Sequence, residues 1–221
     1  MAKYIDTIYD TTLRPLTLYP DQLAFYLFHR FGMKSGERML DLGCGRGDFG
    51  KAFQKLGLIA EGADIEVTGS SIIDGMPIKV FNIETDAYPY PDNYFDVIFS
   101  KSVAEHVHDP QNFFEEQKRI LKPGGRIIVM APDWVSQIKI FWNDFTHKRP
   151  YTILGLKNAL NIFGYKNVTT EFFYQYPLYW KYPVLKIFAK FLMITGPVTK
   201  LHKNKFYRWS KELMILGTGT K

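Results

Sequence analysis

Apolar runs of strand length alternate with amphipathic runs of helix length along most of this chain, and glycine or proline marks most of the changeovers. Pro20-Asp21 ahead of Leu23, Phe25, Tyr26, Leu27 and Phe31 predicts a capped helix with Gly32 as its stop. Residues 38–42 read as an apolar strand, and a helix is expected from about Asp48. Residues 56–64 end in an acid after apolar positions, as a buried parallel strand does. A loop or short helix over 67–74 leads to a third strand at 79–81, and 95–100 make an apolar fourth strand. Over 110–121, Phe113, Phe114, Gln117, Ile120 and Leu121 share one helical side, with Glu115, Glu116, Lys118 and Arg119 on the other. Lys122-Pro123-Gly124-Gly125 stops that helix and starts a strand at 126–130. A helix over 153–163 ends at Gly164, a strand follows at 168–175, and 212–218 form the last strand. Residues 176–211 are too long for the usual hairpin connection and read as an insertion.

Chemistry concentrates at the turn after the first strand, where Gly43, Gly45 and Gly47 occupy every second position. Such a turn lets the backbone bend sharply and lets a ligand approach with no Cβ in the way, while the following helix adds unpaired N–H groups. Asp64 lies 21 residues beyond Gly43, near the spacing of about 20 at which an acid meets ribose hydroxyls. Its carboxylate would accept two charge-assisted hydrogen bonds there.

The run Asp41-x-Gly43-x-Gly45-x-Gly47 resembles motif I of the class I S-adenosylmethionine (SAM) methyltransferases and differs from the G-x-G-x-x-G of dinucleotide-dependent oxidoreductases. Further landmarks of that family follow in order: Gly62-Ala63-Asp64-Ile65, Asn82-Ile83-Glu84, the run 89–98, Glu105-His106-Val107 and 121–125. The small, stand-alone type-11 and type-23 enzymes are the most similar subgroup. This resemblance implies a Rossmann-like α/β fold: a seven-stranded, mainly parallel sheet with helices on both faces and an antiparallel last strand. It implies SAM as cofactor, held by Asp41, Gly43, Cys44, Gly45, Asp64, Ile65, Asn82, Ile83 and Ser100. Asn82 departs from the acid usual at its position; its amide oxygen can still accept from the adenine amino group, without a charge.

Composition narrows the setting. The 221 residues fit a single domain with a helical cap at 1–35 and the insertion at about 176–211. One cysteine, Cys44, excludes an internal disulfide and fits a reducing, cytoplasmic setting; no metal site is expected. No charged segment followed by an apolar one opens the sequence as a secretion signal would. The net charge of +6 is uneven: 178–221 carry nine Lys or Arg and one acid, so the remainder is slightly acidic.

Three side chains are candidates for acting on the acceptor: His147, His106 and Asp144. Asp144-Phe145-Thr146-His147-Lys148-Arg149-Pro150-Tyr151 resembles a segment of the same subgroup, on a loop where acceptors meet the cofactor. Either histidine can serve as a base, or can pin its loop by hydrogen bonds. In the insertion, Lys186 and Lys190 share a face of an apolar helix over 184–194, flanked by Tyr179, Trp180, Tyr182 and Trp209. A lid, a peripheral membrane contact through 178–211, a patch for an acidic or phosphorylated acceptor, and a solvated helix all fit. Tyr4, Tyr9 and Tyr19 are available to line a pocket. The expected function is methyl transfer to a small-molecule, saccharide or lipid-linked acceptor, with O-methylation favoured and nucleic acid disfavoured. A catalytically silent SAM-binding partner protein is the rival.

Overall fold

The computed structural model describes residues 15–67, 75–194 and 205–221. Tyr4, Tyr9, the loop over 68–74 and residues 195–204 of the insertion lie outside these residues. Helix α1 (Tyr19–Arg30) leads, followed by β1 (Arg38–Leu42), α2 (Asp48–Lys55), β2 (Ile59–Asp64), β3 (Ile78–Val80) and β4 (Phe95–Lys101). The second half holds α3 (Pro110–Ile120), β5 (Leu121–Pro132), α4 (Trp134–Gln137), α5 (Ile153–Ile162) and β6 (Lys166–Phe173). The insertion contributes α6 (Leu178–Lys181), α7 (Leu185–Ile194) and α8 (Lys205–Lys211), and β7 (Met214–Thr220) closes the fold.

Seven strands make one sheet in the order β3-β2-β1-β4-β5-β7-β6. The first five run parallel, and β7 runs antiparallel to both β5 and β6. Strand order reverses between β1 and β4, so the crevice for a ligand opens above their carboxyl ends. Each face is covered by its own apolar cluster. Leu40, Ile98, Phe113, Ile127 and Leu156 belong to one; Leu23, Leu27, Phe53, Phe99 and Ile128 belong to the other. Alternation along β4 sends Ile98 and Phe99 to opposite sides, which is why a central strand must be apolar throughout.

Most element boundaries fall within two or three residues of the sequence reading, and the differences have identifiable causes. Strand β5 starts at Leu121 instead of Arg126, because the glycine turn is a bulge inside the strand. There the Gly124 N–H donates to the Lys221 carbonyl and the Lys221 N–H to the Gly125 carbonyl, which ties the bulge to the end of β7. Strand β7 starts two residues late, since Glu212 is held by Arg208 one helical turn earlier (2.9 Å) before pairing begins at Met214. Helices α6 and α8 were not anticipated; both are short, below the length at which periodicity is diagnostic.

Phe99 is fully buried, with the rings of Phe49 and Phe53 at 5.6 and 5.5 Å. Phe99→Ala is expected to destabilise the fold by about 3–5 kcal/mol, measured by urea unfolding.

Candidate active site

The glycine turn is held at both ends by carboxylates. At the far end, Asp64 Oδ2 accepts from the Gly45 N–H at 2.7 Å, and its Oδ1 accepts from the Ile65 N–H at 2.8 Å. Burial pushes the Asp64 carboxyl above the usual carboxylate range, against the pull of those N–H groups. At the near end, Asp41 is 2% exposed and its Oδ2 accepts from the Gly50 N–H at 2.8 Å. Burial lifts its pKa to about 7. The Gly43 and Cys44 N–H groups both donate to the Ala63 carbonyl, so the turn is also stitched to the end of β2.

Glycine is obligatory at position 43. Its φ is +76°, and a Cβ there would sit 2.2 Å from the Val103 side chain. Gly45, with φ +53°, has open space where its Cβ would point. That space is a cleft of about 470 Å³, walled by Gly43, Gly45, Asp64, Ile65, Asn82 and Ile83 on one side. Ser102, Val103, His106, Val107, Phe145, Thr146, Lys148 and Glu84 complete the lining, with Val103 packed against Gly43.

Three of the residues expected at the cofactor do not line this cleft. Asp41 is spent on the start of α2 and does not line the cleft. Cys44 is buried, with its thiol packed against Gly62, and burial pushes its pKa up, so it supplies no thiolate. Ser100 is fully buried within β4 and its hydroxyl has no hydrogen-bond partner among the described residues; the serine that reaches the cleft is Ser102, two residues on. Ser102 has φ +59°, a strained turn that redirects the chain out of the strand and leaves no trace in sequence. Asn82 does line the cleft, but its Oδ1 already accepts from the Glu84 N–H at 3.0 Å.

The opposite wall is made of two loops locked together. The Glu105 carbonyl accepts from the N–H groups of Lys148 (2.7 Å) and Arg149 (3.0 Å), and the Arg149 guanidinium donates to the His108 carbonyl. Glu84 Oε1 accepts from the Asp109 N–H, with Lys148 Nζ 3.7 Å from Oε2. Burial raises the Glu84 carboxyl, but these N–H groups and the ammonium outweigh it and leave its pKa low. Glu84, Phe145 and Lys148 escaped the sequence reading as site residues; each lies beside a motif position that drew attention instead.

Within this wall the hydrogen bonds fix proton positions. The Thr146 hydroxyl donates to Asp144 Oδ1 at 2.6 Å and lies 2.9 Å from His106 Nδ1. A hydroxyl has one proton, so Nδ1 of His106 is the donor in that second bond and the lone pair sits on Nε2. Burial, then the neighbouring His147, lower the His106 pKa below its ordinary 6.5. Burial acts upward on Asp144, and the two Thr146 hydrogen bonds with the imidazoles bring it down. His147 is set behind: its Nδ1 donates to the Phe141 carbonyl at 2.7 Å, its ring lies 4.8 Å from that of His106, and it does not line the cleft. One donor atom each from Glu105, His106 and His147 lie within 4.8 Å of one another, the group of described residues best placed to approach a cation.

A glycine turn closed on a strand-end carboxylate, at the rim of a sheet in this order, defines a SAM-methyltransferase type of cofactor site. The Cβ-free approach at Gly45 and the Asp64 carboxylate both fit a ribose-bearing ligand. Residues 17–170 match the family model described as a methyltransferase domain. The chain therefore belongs to the methyltransferase domain family. It is 30% identical over 138 residues to the uncharacterized protein MJ1123 of Methanocaldococcus jannaschii, covering 59% of this chain and 65% of that one. It is 28% identical to phosphoethanolamine N-methyltransferase 2 of Caenorhabditis elegans over 66% of this chain and 36% of the relative. The chain thus spans about a third to two thirds of the length of these curated relatives. In fold it is similar to a SAM-dependent methyltransferase of Archaeoglobus fulgidus, with TM-score 0.67, 20% identity, and 99% and 100% of the two chains covered.

Asp41 generates a stability prediction. Its folded pKa of about 7 lies above the ordinary 3.8, so the folded state binds more protons between these values and stability falls as pH rises through them. Asp41→Asn keeps an oxygen for the Gly50 N–H and removes the charge. It is expected to raise the unfolding temperature of the SAM-free protein near pH 8 and to leave it unchanged near pH 4, measured by calorimetry.

Proposed function

We propose that this chain transfers a methyl group from SAM to a hydroxyl of a small-molecule, saccharide or lipid-linked acceptor, leaving S-adenosylhomocysteine. The observation that carries the reading is the pairing of two walls across one cleft. One wall is the glycine turn with Asp64, and the other is the His106–Thr146–Asp144 chain of hydrogen bonds.

SAM, when bound, supplies an electrophilic methyl group on a sulfonium that is already a good leaving group, so the protein's task is orientation and proton removal. Gly43 and Gly45 bring the backbone close, and the Asp64 carboxylate accepts from ribose hydroxyls. Asn82 and Ile83 flank the base; with its oxygen engaged by Glu84, Asn82 has N–H donors left to offer to adenine ring nitrogens. This replaces the acceptor role expected of its oxygen.

On the facing wall, His106 Nε2 takes the acceptor's proton. The imidazolium formed keeps its Nδ1–H on Thr146, and through that hydroxyl Asp144 stabilises the charge without being protonated itself. His147 and Phe141 hold the loop that presents Thr146. Lys148 on the cleft wall is offset by the Glu84 carboxylate 3.7 Å away, so this pair by itself sets no charge preference for the acceptor.

Binding and turnover measurements test the reading. Asp64→Ala is expected to weaken SAM binding by about a hundredfold or more, given two charge-assisted hydrogen bonds lost; calorimetry showing wild-type affinity would refute the cofactor site. His106→Ala is expected to lower kcat by about 10²–10⁴-fold with SAM affinity intact. In the wild type, kcat should fall with acid through a midpoint below 6.5, because burial lowers the His106 pKa and the base must be neutral to act. Turnover should survive a chelator. Chelator-sensitive turnover restored by a divalent cation would replace the base with a metal on the same side chains.

A further inference from the structure

We infer that the carboxyl-terminal rim of the sheet, together with the outward face of α7, is a membrane-docking surface that seats the cleft on an anionic bilayer. The inference rests on the methyl-transfer reading for what the cleft does. It narrows the acceptor to a molecule presented at a lipid surface.

Strand register places the relevant segments on one edge. Pro132 and Phe173 both pair with Met214, so the loop after β5 and the insertion between β6 and β7 leave the sheet together. Because β5 runs parallel to β1 and β4, this is the edge that carries Gly43 and Ser102. The opposite edge exposes Ile59 and Ile162 as isolated side chains.

Helix α7 is apolar on the wrong side for a solvated helix. Ala189 is buried in a small cluster with Tyr174, Tyr179 and Leu213, and Leu185 packs against it. That contact fixes which face points inward. Ile187, Phe188 and Phe191 nevertheless stand 67%, 61% and 67% exposed on the rest of the helix. A helix docked on a core by one face and bathed in water on the other should be polar there. On the loop across the rim, Trp142 is half exposed and Phe145, at the lip of the cleft, is 91% exposed. Large apolar side chains grouped this way mark an interaction surface.

Charge selects the occupant. Residues 176–194 contain Lys181, Lys186 and Lys190 and no acid, while 178–221 as a whole carry nine basic residues and one acidic. Lysines beside exposed aromatic and aliphatic side chains complement anionic headgroups over an acyl interior, with the long stems reaching up to the phosphates. No helix of the described residues is long and apolar enough to cross a membrane, so contact would be from one side. A shallow groove of about 1030 Å³ between α1 and α6, lined by Phe25, Tyr26, Trp180 and Lys181, continues the apolar surface toward α1.

The test is co-sedimentation of the full chain with phosphatidylcholine vesicles, with and without phosphatidylglycerol. SAM affinity and the unfolding temperature are measured on the same samples. The wild type should bind only the anionic vesicles and should be released by salt. Phe188→Ser/Phe191→Ser and Lys186→Glu/Lys190→Glu should each weaken binding at least about tenfold without changing SAM affinity or unfolding temperature. Three results would overturn the proposal: wild-type protein left in the supernatant, variants that sediment like the wild type, or a dimer that the same variants dissociate. A wild type that binds SAM but no anionic vesicle would sink the docking surface alone, whereas a wild type that binds no SAM would sink the methyl-transfer reading beneath it.

Discussion

The site depends on two carboxylates, one buried and one half-buried, that hold the glycine turn and the start of the helix after it by their N–H groups. Asp64 grips Gly45 from the last position of β2, and Asp41 grips Gly50 from inside β1. A turn with positive φ at alternate residues has little structure of its own, and these bonds replace the ladder it cannot form. The arrangement costs desolvation, visible as the raised pKa of both acids. A carboxylate partly stripped of water and already aligned by backbone donors is also well prepared to accept a ligand's hydroxyl protons.

The second wall shows the same economy at longer range. Glu105 is fully buried, with its own pKa lifted to about 8 by burial, yet its carbonyl holds two N–H groups of the loop that carries Thr146. Segments some forty residues apart in sequence thus move as one body, and His106 receives its hydrogen-bond partner from the other loop. A base oriented by a hydroxyl and a carboxylate needs both loops in register. The residues between 141 and 151 are therefore constrained by geometry even where they touch no ligand.

Charge and apolar surface are distributed to match. The strands and their flanking helices are close to neutral overall, while the insertion is basic and exposes Ile187, Phe188 and Phe191 on α7. Burial of Phe188 and Phe191 would remove apolar surface from water, which is the driving force the proposed docking surface draws on.

The sequence alone determined the order of strands and helices, the glycine turn and the identity of Asp64, because these rest on local requirements. Apolar periodicity, positive φ at Gly43 and an acid about 20 residues further on are visible without tertiary contacts. It also brought Asp144, Thr146, His106 and His147 into view, without singling out His106 as the base. The folded structure separates them: His106 lines the cleft and His147 does not, and the Thr146 proton goes to Asp144, so His106 Nδ1 donates to Thr146. The same holds for Asp41, Cys44 and Ser100, which motif position suggested as ligands and which packing turned inward, while the bend at Ser102 brings that residue to the cleft. A motif fixes where the backbone goes; which side chain meets the ligand depends on a neighbour's hydrogen bond or a single rotated φ, and these are set by contacts between segments far apart in the chain.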